Sequence, residues 1–347
     1  MVNFKKKIEH FIANSPKFFD DNVLSIDKKH KSHIQKAYEN LLELNIDNFR
    51  NWGCQSDILL NKQIKVEKGL LNGIVKPIVN ILFYKLIHKE FIQNLQDDIL
   101  IIERIGGKEL LLENPVNKTP GEISSLQIGN YNVNYRWLRY LYISKKINDL
   151  LLDNKKNIWI DIGSYYGGLQ GIVKKYNPNT TMILIDFHHQ LLRSYLYLST
   201  IYPDSKHILP NEITGLQEFE QFQEGDFIYL PTIQYDQLKL NFDVNLLTNF
   251  FSFGEMKRET YKIYERSRIF KKAKIKYFIN RFVSNPFFEK LYDSDLNIFD
   301  YVNERNDISH FDVFPIHHFQ RTEVNLFGNS RKRNISSPYF ELILNNT

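Results

Sequence analysis

The sequence predicts an α/β protein: a Rossmann-like, doubly wound, mostly parallel sheet preceded by an N-terminal helical region. Three observations carry that expectation. Apolar runs at Asn157 to Asp161 and Thr181 to Asp186 each end in a carboxylate; helix-like stretches separate such runs; and a glycine-rich turn follows the first of them. Strands buried on both faces read as continuous apolar runs, and their alternation with helices is the pattern of parallel crossover units.

Taken in chain order, residues up to about Gln96 read as helical. His33 to Asn45 places Ile34, Ala37, Leu41, Leu42 and Leu44 at helical spacing, and Ile78 to Leu86 is a second such stretch. Leu70 to Ile87 is apolar, but Asn72, Lys76, Pro77, Asn80 and Lys85 interrupt it, so it reads as a packed helical hairpin broken at Pro77 and not as a membrane span. Gly106-Gly107 stops the helical pattern, and Glu113-Asn114-Pro115 through Pro120-Gly121 is a loop. Tyr135 to Leu152 returns to helix. The strand Asn157 to Asp161 comes next, then Gly163 and Gly167-Gly168, a helix from Leu169 to Tyr176, and the strand ending at Asp186. Gln190 to Ile201 reads as a helix, His207-Ile208-Leu209 as the third strand and Phe242 to Asn249 as the fourth; Lys257 to Lys272 reads as one helix before a fifth strand, Ile275 to Asn280. The organisation expected is a helical accessory or lid region over 1–125 and a Rossmann-like domain over 126–347.

Composition excludes several classes. The 347 residues are 43% hydrophobic and 14% aromatic, enough for a large core and incompatible with a disordered chain. Lys and Arg exceed Asp and Glu by 45 to 40, a net charge of +5 without the dense basic stripe that nucleic acid would call for, so the balance points to an anionic ligand, substrate or surface and no further. The single cysteine, Cys54, forms no internal disulfide and fits a reducing compartment. The first 21 residues carry Lys5, Lys6, Lys7, Glu9 and His10 and lack a signal-peptide pattern, so the expected location is cytoplasmic.

The chemistry is expected at the strand-ending loops, because ligands of open α/β sheets sit beyond the carboxyl ends of the strands where strand order reverses. Asp161-Ile162-Gly163-Ser164-Tyr165-Tyr166-Gly167-Gly168-Leu169, with Asp186 ending the next strand, is the strongest local signal. Glycines there let a ligand approach the backbone, and an acid at the second strand end can hold both ribose hydroxyls. A dinucleotide fingerprint would put Tyr165 at its middle glycine, against the pyrophosphate. The S-adenosylmethionine pattern also lacks that glycine but accounts for Asp161, and is preferred.

The run from Asp161 to Leu169 resembles the glycine turn of the bacterial sugar O-methyltransferase family, a branch of the class I S-adenosylmethionine-dependent superfamily. Three more segments resemble it in the same order: Asp186-Phe187 with Tyr195 to Leu198 and Tyr202-Pro203; Asn249 to Met256, which contains Ser252-Phe253-Gly254-Glu255-Met256; and Tyr277 to Phe282, with Asn280-Arg281. Glu113-Asn114-Pro115 and Leu138-Arg139-Tyr140 are fainter matches, so the likeness runs from about Asn114 to the C-terminus. Ser164 and Tyr165 replace two glycines, and His188-His189 replace a proline and a polar residue. The resemblance implies transfer of a methyl group from S-adenosylmethionine to a sugar, nucleotide-sugar or glycan hydroxyl in bacterial surface polysaccharide assembly. Asp161, Gly163, Ser164, Tyr165 and Gly167 would lie along the methionine moiety and Asp186 on the ribose, with Phe187 and a later loop around Glu212 beside the adenine. A catalytically silent scaffold disabled by Tyr165 and an NAD(P)-dependent sugar oxidoreductase are the alternatives.

A hydroxyl acceptor needs help in losing its proton. Glu255, after the fourth strand, and His310 are the candidate bases, with His317-His318 also on the expected acceptor side; Glu255 alternatively serves the dipole of the helix beginning near Lys257. Arg281 and Asn280 are the candidate acceptor contacts, and Arg331-Lys332-Arg333 a basic cluster that could meet a phosphorylated acceptor or simply be solvated. Asp243, Glu255 and His310 are hard or imidazole groups without close metal-ligand spacing, so no metal is assigned. Homo-oligomer formation is left open.

Overall fold

The computed structural model describes residues 4–15, 49–50, 65–66, 91–121, 125–151, 156–213, 224–237, 243–281, 296–302, 306–317, 321–324, 330–333 and 339–346. The expected helices at His33 to Asn45 and Ile78 to Leu86, the hairpin at Pro77, Cys54 and His318 lie outside the described residues.

The central sheet has eight strands: β1 (Ile158–Ile162), β2 (Thr181–Asp186), β3 (His207–Ile208), β4 (Phe227–Pro231), β5 (Val244–Phe250), β6 (Ala273–Asn280), β7 (Asn306–Val313) and β8 (Phe340–Asn346). Their order is β7-β8-β6-β5-β1-β2-β4-β3, with β1 through β6 parallel and β8 and β7 each antiparallel to its neighbours. From β1 the chain first builds outward through β2 toward β3 and β4, then returns to lay β5 and β6 on the other side. The order therefore reverses between β1 and β5, and the doubly wound expectation is met.

Side-chain alternation explains both covered faces. Ile158, Ile160 and Ile162 of β1 join Ile183 and Ile185 of β2 on one face, with Tyr261, Tyr264 and Phe270 above them. Trp159, Met182 and Leu184 point to the opposite face, where they meet residues of α4 (Tyr135–Leu150), α5 (Gly168–Tyr176) and α6 (His188–Ile201). Upstream lie α1 (Phe4–Ala13), α2 over residues 91–104 and α3 (Lys108–Glu113). In α1, Phe11 is fully buried against Tyr195 and Tyr229, while Lys7 donates to Ser199 Oγ at 2.8 Å.

The structure differs from the sequence expectations at four places. The stretch Lys257 to Lys272 forms two helices, α7 (Arg258–Arg266) and α8 (Arg268–Lys272), because Ser267 is extended (φ −64°, ψ 156°) and its hydroxyl caps Phe270 N. The loop before α4 holds α3, a 3-10 turn over Val116–Lys118 and a hairpin of Leu126–Ile128 with Tyr131–Val133. β4 enters between β2 and β3. Beyond β6 the chain adds β8 and β7, which extend the sheet by two antiparallel strands.

Candidate functional site

The turn after β1 is built from left-handed backbone. Gly163 has φ +86°, and a Cβ there would stand 2.5 Å from Ser252 Oγ, so glycine is required both by conformation and by the closeness of the β5 loop. Tyr165 also adopts positive φ, at 56°, a conformation that costs a non-glycine residue about 1 kcal/mol or more. Its surroundings hold it there: its N–H donates to Asp186 Oδ2 at 2.7 Å, its carbonyl accepts from Ser194 Oγ at 2.7 Å, and its ring lies between the guanidinium groups of Arg136 (4.3 Å) and Arg193 (4.6 Å). The N–H groups of Gly163 and Ser164 both go to Ile185 O, and that of Gly167 goes to Ser164 O.

Two buried carboxylates face this turn. Asp161 accepts from Thr248 Oγ1 at 2.5 Å and from Gln170 Nε2; Asp186 accepts from Tyr165 N and, at 2.7 Å, from Phe187 N. Burial drives both carboxyls up to about 7, and for Asp161 the neighbouring Asp186 charge pushes the same way. Ser164 Oγ is buried beside them without a hydrogen-bond partner among the described residues.

Across the turn, the ends of β5 and β6 form a second wall. Asn249 ties them together: its amide donates to Ile162 O (2.7 Å) and Ser252 Oγ (2.5 Å), and its carbonyl oxygen accepts from Phe253 N (2.9 Å) and Asn280 Nδ2 (3.0 Å). Phe251, at φ 66°, packs edge-on against Tyr339 with centroids 4.8 Å apart, and Arg139 from α4 lies over its ring at 5.1 Å. Arg281 stacks on Tyr339 at 5.0 Å and pairs with Glu255 at 2.9 Å. Aromatic faces alternating with guanidinium groups thus line this side.

Of the residues singled out in the sequence, Asp161, Gly163, Ser164, Tyr165, Gly167, Asp186 and Phe187 come together around the turn. Phe187 precedes α6, and its ring stacks on His189 at 6.1 Å. Burial lowers His188 to about 4 and His189 to about 3, so both are neutral near pH 7. Glu212 accepts from Leu209 N at 2.6 Å and so closes its own turn. Asn280 is fully buried, with Oδ1 accepting from Gly254 N at 3.2 Å and Nδ2 on Asn249, which makes it a brace between loops. Glu255 belongs to the 3-10 turn Phe253–Glu255, and Glu259 occupies the first turn of α7 instead. His310 is not brought to the turn. It sits on β7 opposite Ile343, four strands from Asp161 along one row, roughly 19 Å at ordinary strand spacing, with Nε2 3.5 Å from Glu341. Asp243 pairs with Lys274 at the start of β5, so Asp243, Glu255 and His310 do not converge, and no group of three metal-ligating side chains occurs among the described residues. Arg331, Lys332 and Arg333 fall on the strand Ser330–Arg333, paired with Arg321–Val324. Arg136, Arg139, Arg193 and Asn249 are not among the site residues expected from the sequence: Arg139 and Asn249 lie in segments that resemble the family without a role of their own, and all four meet the turn only through folding.

No protein-family model matches the chain, and no curated protein matches it. Among solved structures, the mitomycin 7-O-methyltransferase MmcR is 8% identical, over 61% of this chain and 57% of its own, at a TM-score of 0.35. A SAM-dependent methyltransferase from Anabaena variabilis is 12% identical over 59% of this chain and 83% of its own, at 0.36. M. capricolum TrmK, solved in complex with S-adenosyl-homocysteine, is 10% identical over 59% and 68%, at 0.34. The match spans under two thirds of MmcR. At TM-scores this low the Rossmann-like assignment rests on the strand order and not on these likenesses. No helix among the described residues is long and apolar enough to cross a membrane.

Proposed function

We propose that the protein is an S-adenosylmethionine-dependent O-methyltransferase, and that its acceptor is a hydroxyl of a sugar, nucleotide-linked sugar or glycan. The observation that carries the first half is the placement of two buried acids, Asp161 and Asp186, at a turn where the N–H groups of Gly163, Ser164, Tyr165 and Gly167 are already taken up. A dinucleotide would bring a pyrophosphate up against two acids, and those four N–H groups are not available to neutralise it. A nucleoside bearing a sulfonium and an ammonium supplies the opposite charge and two ribose hydroxyls as donors. In this reading Asp186 retains lone pairs for the ribose, Ser164 Oγ gains a partner, and Tyr165 acts through its N–H by fixing Asp186.

When bound, S-adenosylmethionine provides an electrophilic methyl group. The chain's part is to hold acceptor and donor in line and to exclude water. Phe251, half-buried and braced by Tyr339, supplies a ring on which a sugar can pack, and the Arg281–Glu255 pair, with Glu255 half exposed, offers a donor and an acceptor to hydroxyls or to a phosphate. The sugar class, with its place in bacterial surface polysaccharide assembly, is supported by the sequence resemblance.

The test is mass spectrometry of a panel of nucleotide-linked hexoses and hexosamines after incubation with trideuteromethyl donor. A 17 Da gain on an acceptor, absent with Asp186→Ala, is the expected result. A gain only on RNA or on phenolic small molecules would overturn the sugar assignment, and turnover of nicotinamide cofactor would overturn the whole reading.

A further inference from the structure

Asp98 is fully buried, and it is held by a residue 219 positions away. On α2, its Oδ1 accepts from the backbone N–H of His317 at 3.0 Å and lies 2.6 Å from His317 Nδ1, while Oδ2 has no hydrogen-bond partner among the described residues. The histidine ring is 31% exposed. His317 follows β7 where that strand ends level with Asn280, on the carboxyl side of the sheet, and aromatic packing ties this segment to the loop facing the turn. His317 follows Phe314, whose ring packs on Phe251 at 5.6 Å; Phe251 precedes Ser252, which touches Gly163; and Arg139, over the Phe251 ring, also places its charge near Asp98. Burial holds the Asp98 carboxyl above its usual range, against the opposing pull of its hydrogen bonds with His317 and of Arg139.

We propose that His317 is the general base for the acceptor hydroxyl, with Asp98 as its positioning residue; this rests on the methyl-transfer reading above. Asp98 Oδ1 already accepts the backbone N–H, so as a carboxylate it selects the tautomer with hydrogen on Nδ1 and leaves the lone pair on Nε2, on the far side of the ring. The acceptor oxygen bonds to the methyl carbon as the carbon–sulfur bond breaks and its electron pair returns to sulfur, yielding the neutral thioether S-adenosylhomocysteine. The hydroxyl proton passes to Nε2, and Asp98 stabilises the imidazolium without taking the proton. A base at His317 also replaces His310, which stands four strands away from Asp161.

The test uses the full chain labelled with ¹⁵N-histidine. Long-range proton–nitrogen NMR at pH 7.5 resolves the tautomer of each ring, and His317→Gln identifies the signal among ten histidines. The expected result is Nδ1–H on His317, with that preference lost in Asp98→Asn. A ring carrying hydrogen on Nε2 overturns the proposal, and should His317→Gln fold poorly, through-bond correlation of the ring to its own assigned backbone amide identifies the signal in the wild type. Titration with S-adenosylhomocysteine separates the two levels of inference. Wild type and His317→Gln are expected to bind it equally; binding with the wrong tautomer overturns the base alone, and no binding by wild type overturns both. On any acceptor methylated by wild type in the hexose and hexosamine panel, His317→Gln should cut kcat by about 10² to 10⁴ with donor KM unchanged. An unchanged kcat would also overturn the proposal.

Discussion

Asp161 and Asp186 have a consequence for stability that follows from burial. Both carboxyls hold protons up to about 7 when folded and release them near 4 when unfolded. Between those values the folded chain binds more protons, so their contribution to stability is full at low pH and is lost as pH rises toward 7. Urea midpoints at pH 5 and pH 8 should therefore differ less in Asp161→Asn than in wild type. S-Adenosylmethionine, arriving with positive charge, should raise the midpoint of wild type more at pH 8 than at pH 5; an equal or reversed effect would count against a cationic ligand beside these acids. Gly163→Ala is the sharper test of the turn. A left-handed alanine costs about 1–2 kcal/mol before its Cβ meets Ser252, so both a lower urea midpoint and weaker donor binding are expected. Unaltered stability would mean the β5 loop can step aside.

Among the elements, α4 carries Arg136 and Arg139 to the site, and its start is fixed by Asn134, whose side chain accepts from Trp137 N at 2.8 Å. Asn134→Ala should cost about 1 kcal/mol in urea unfolding, and Asn134→Asp much less. The sheet was legible in proportion to how much of each strand is continuous apolar sequence. β1 and β2 are buried at every position, and β2 has the bounds expected of it. Phe227 to Pro231 is equally buried, but this five-residue run sits beyond an uninformative Gln- and Glu-rich stretch and went unassigned. β7 left almost no signal, because none of its eight positions is buried: six are exposed and two half-exposed. Nothing in its period reports a buried face; its pairing to β8 is a tertiary fact.

At the scale of the molecule, the N-terminal half reaches the back of the β1 turn. Arg50 lies over the Tyr166 ring at 4.4 Å and donates to its hydroxyl, and Arg193 Nε donates to Phe49 O at 3.0 Å. These contacts favour the proposal that residues 1–125 form an accessory region for the site. Arg50→Ala, which removes a buried guanidinium and leaves Tyr166 without that donor, should lower the unfolding free energy measured in urea by about 2–4 kcal/mol. No change would show that this region packs without supporting the turn. The same scale explains which part of the candidate site could be read from the sequence. Asp161 through Gly167 are neighbours in sequence and Asp186 ends the next strand, so spacing exposes them. Arg50, Asp98, Arg139 and His317 come from four distant segments, and only the closed fold assembles them. Asp161 and Asp186 are the residues whose charge selects a cationic nucleoside as the ligand. Isothermal titration with S-adenosylmethionine and S-adenosylhomocysteine tests that selection directly: wild type should bind both and Asp186→Ala neither, whereas no heat from wild type, or equal binding by the variant, would contradict it.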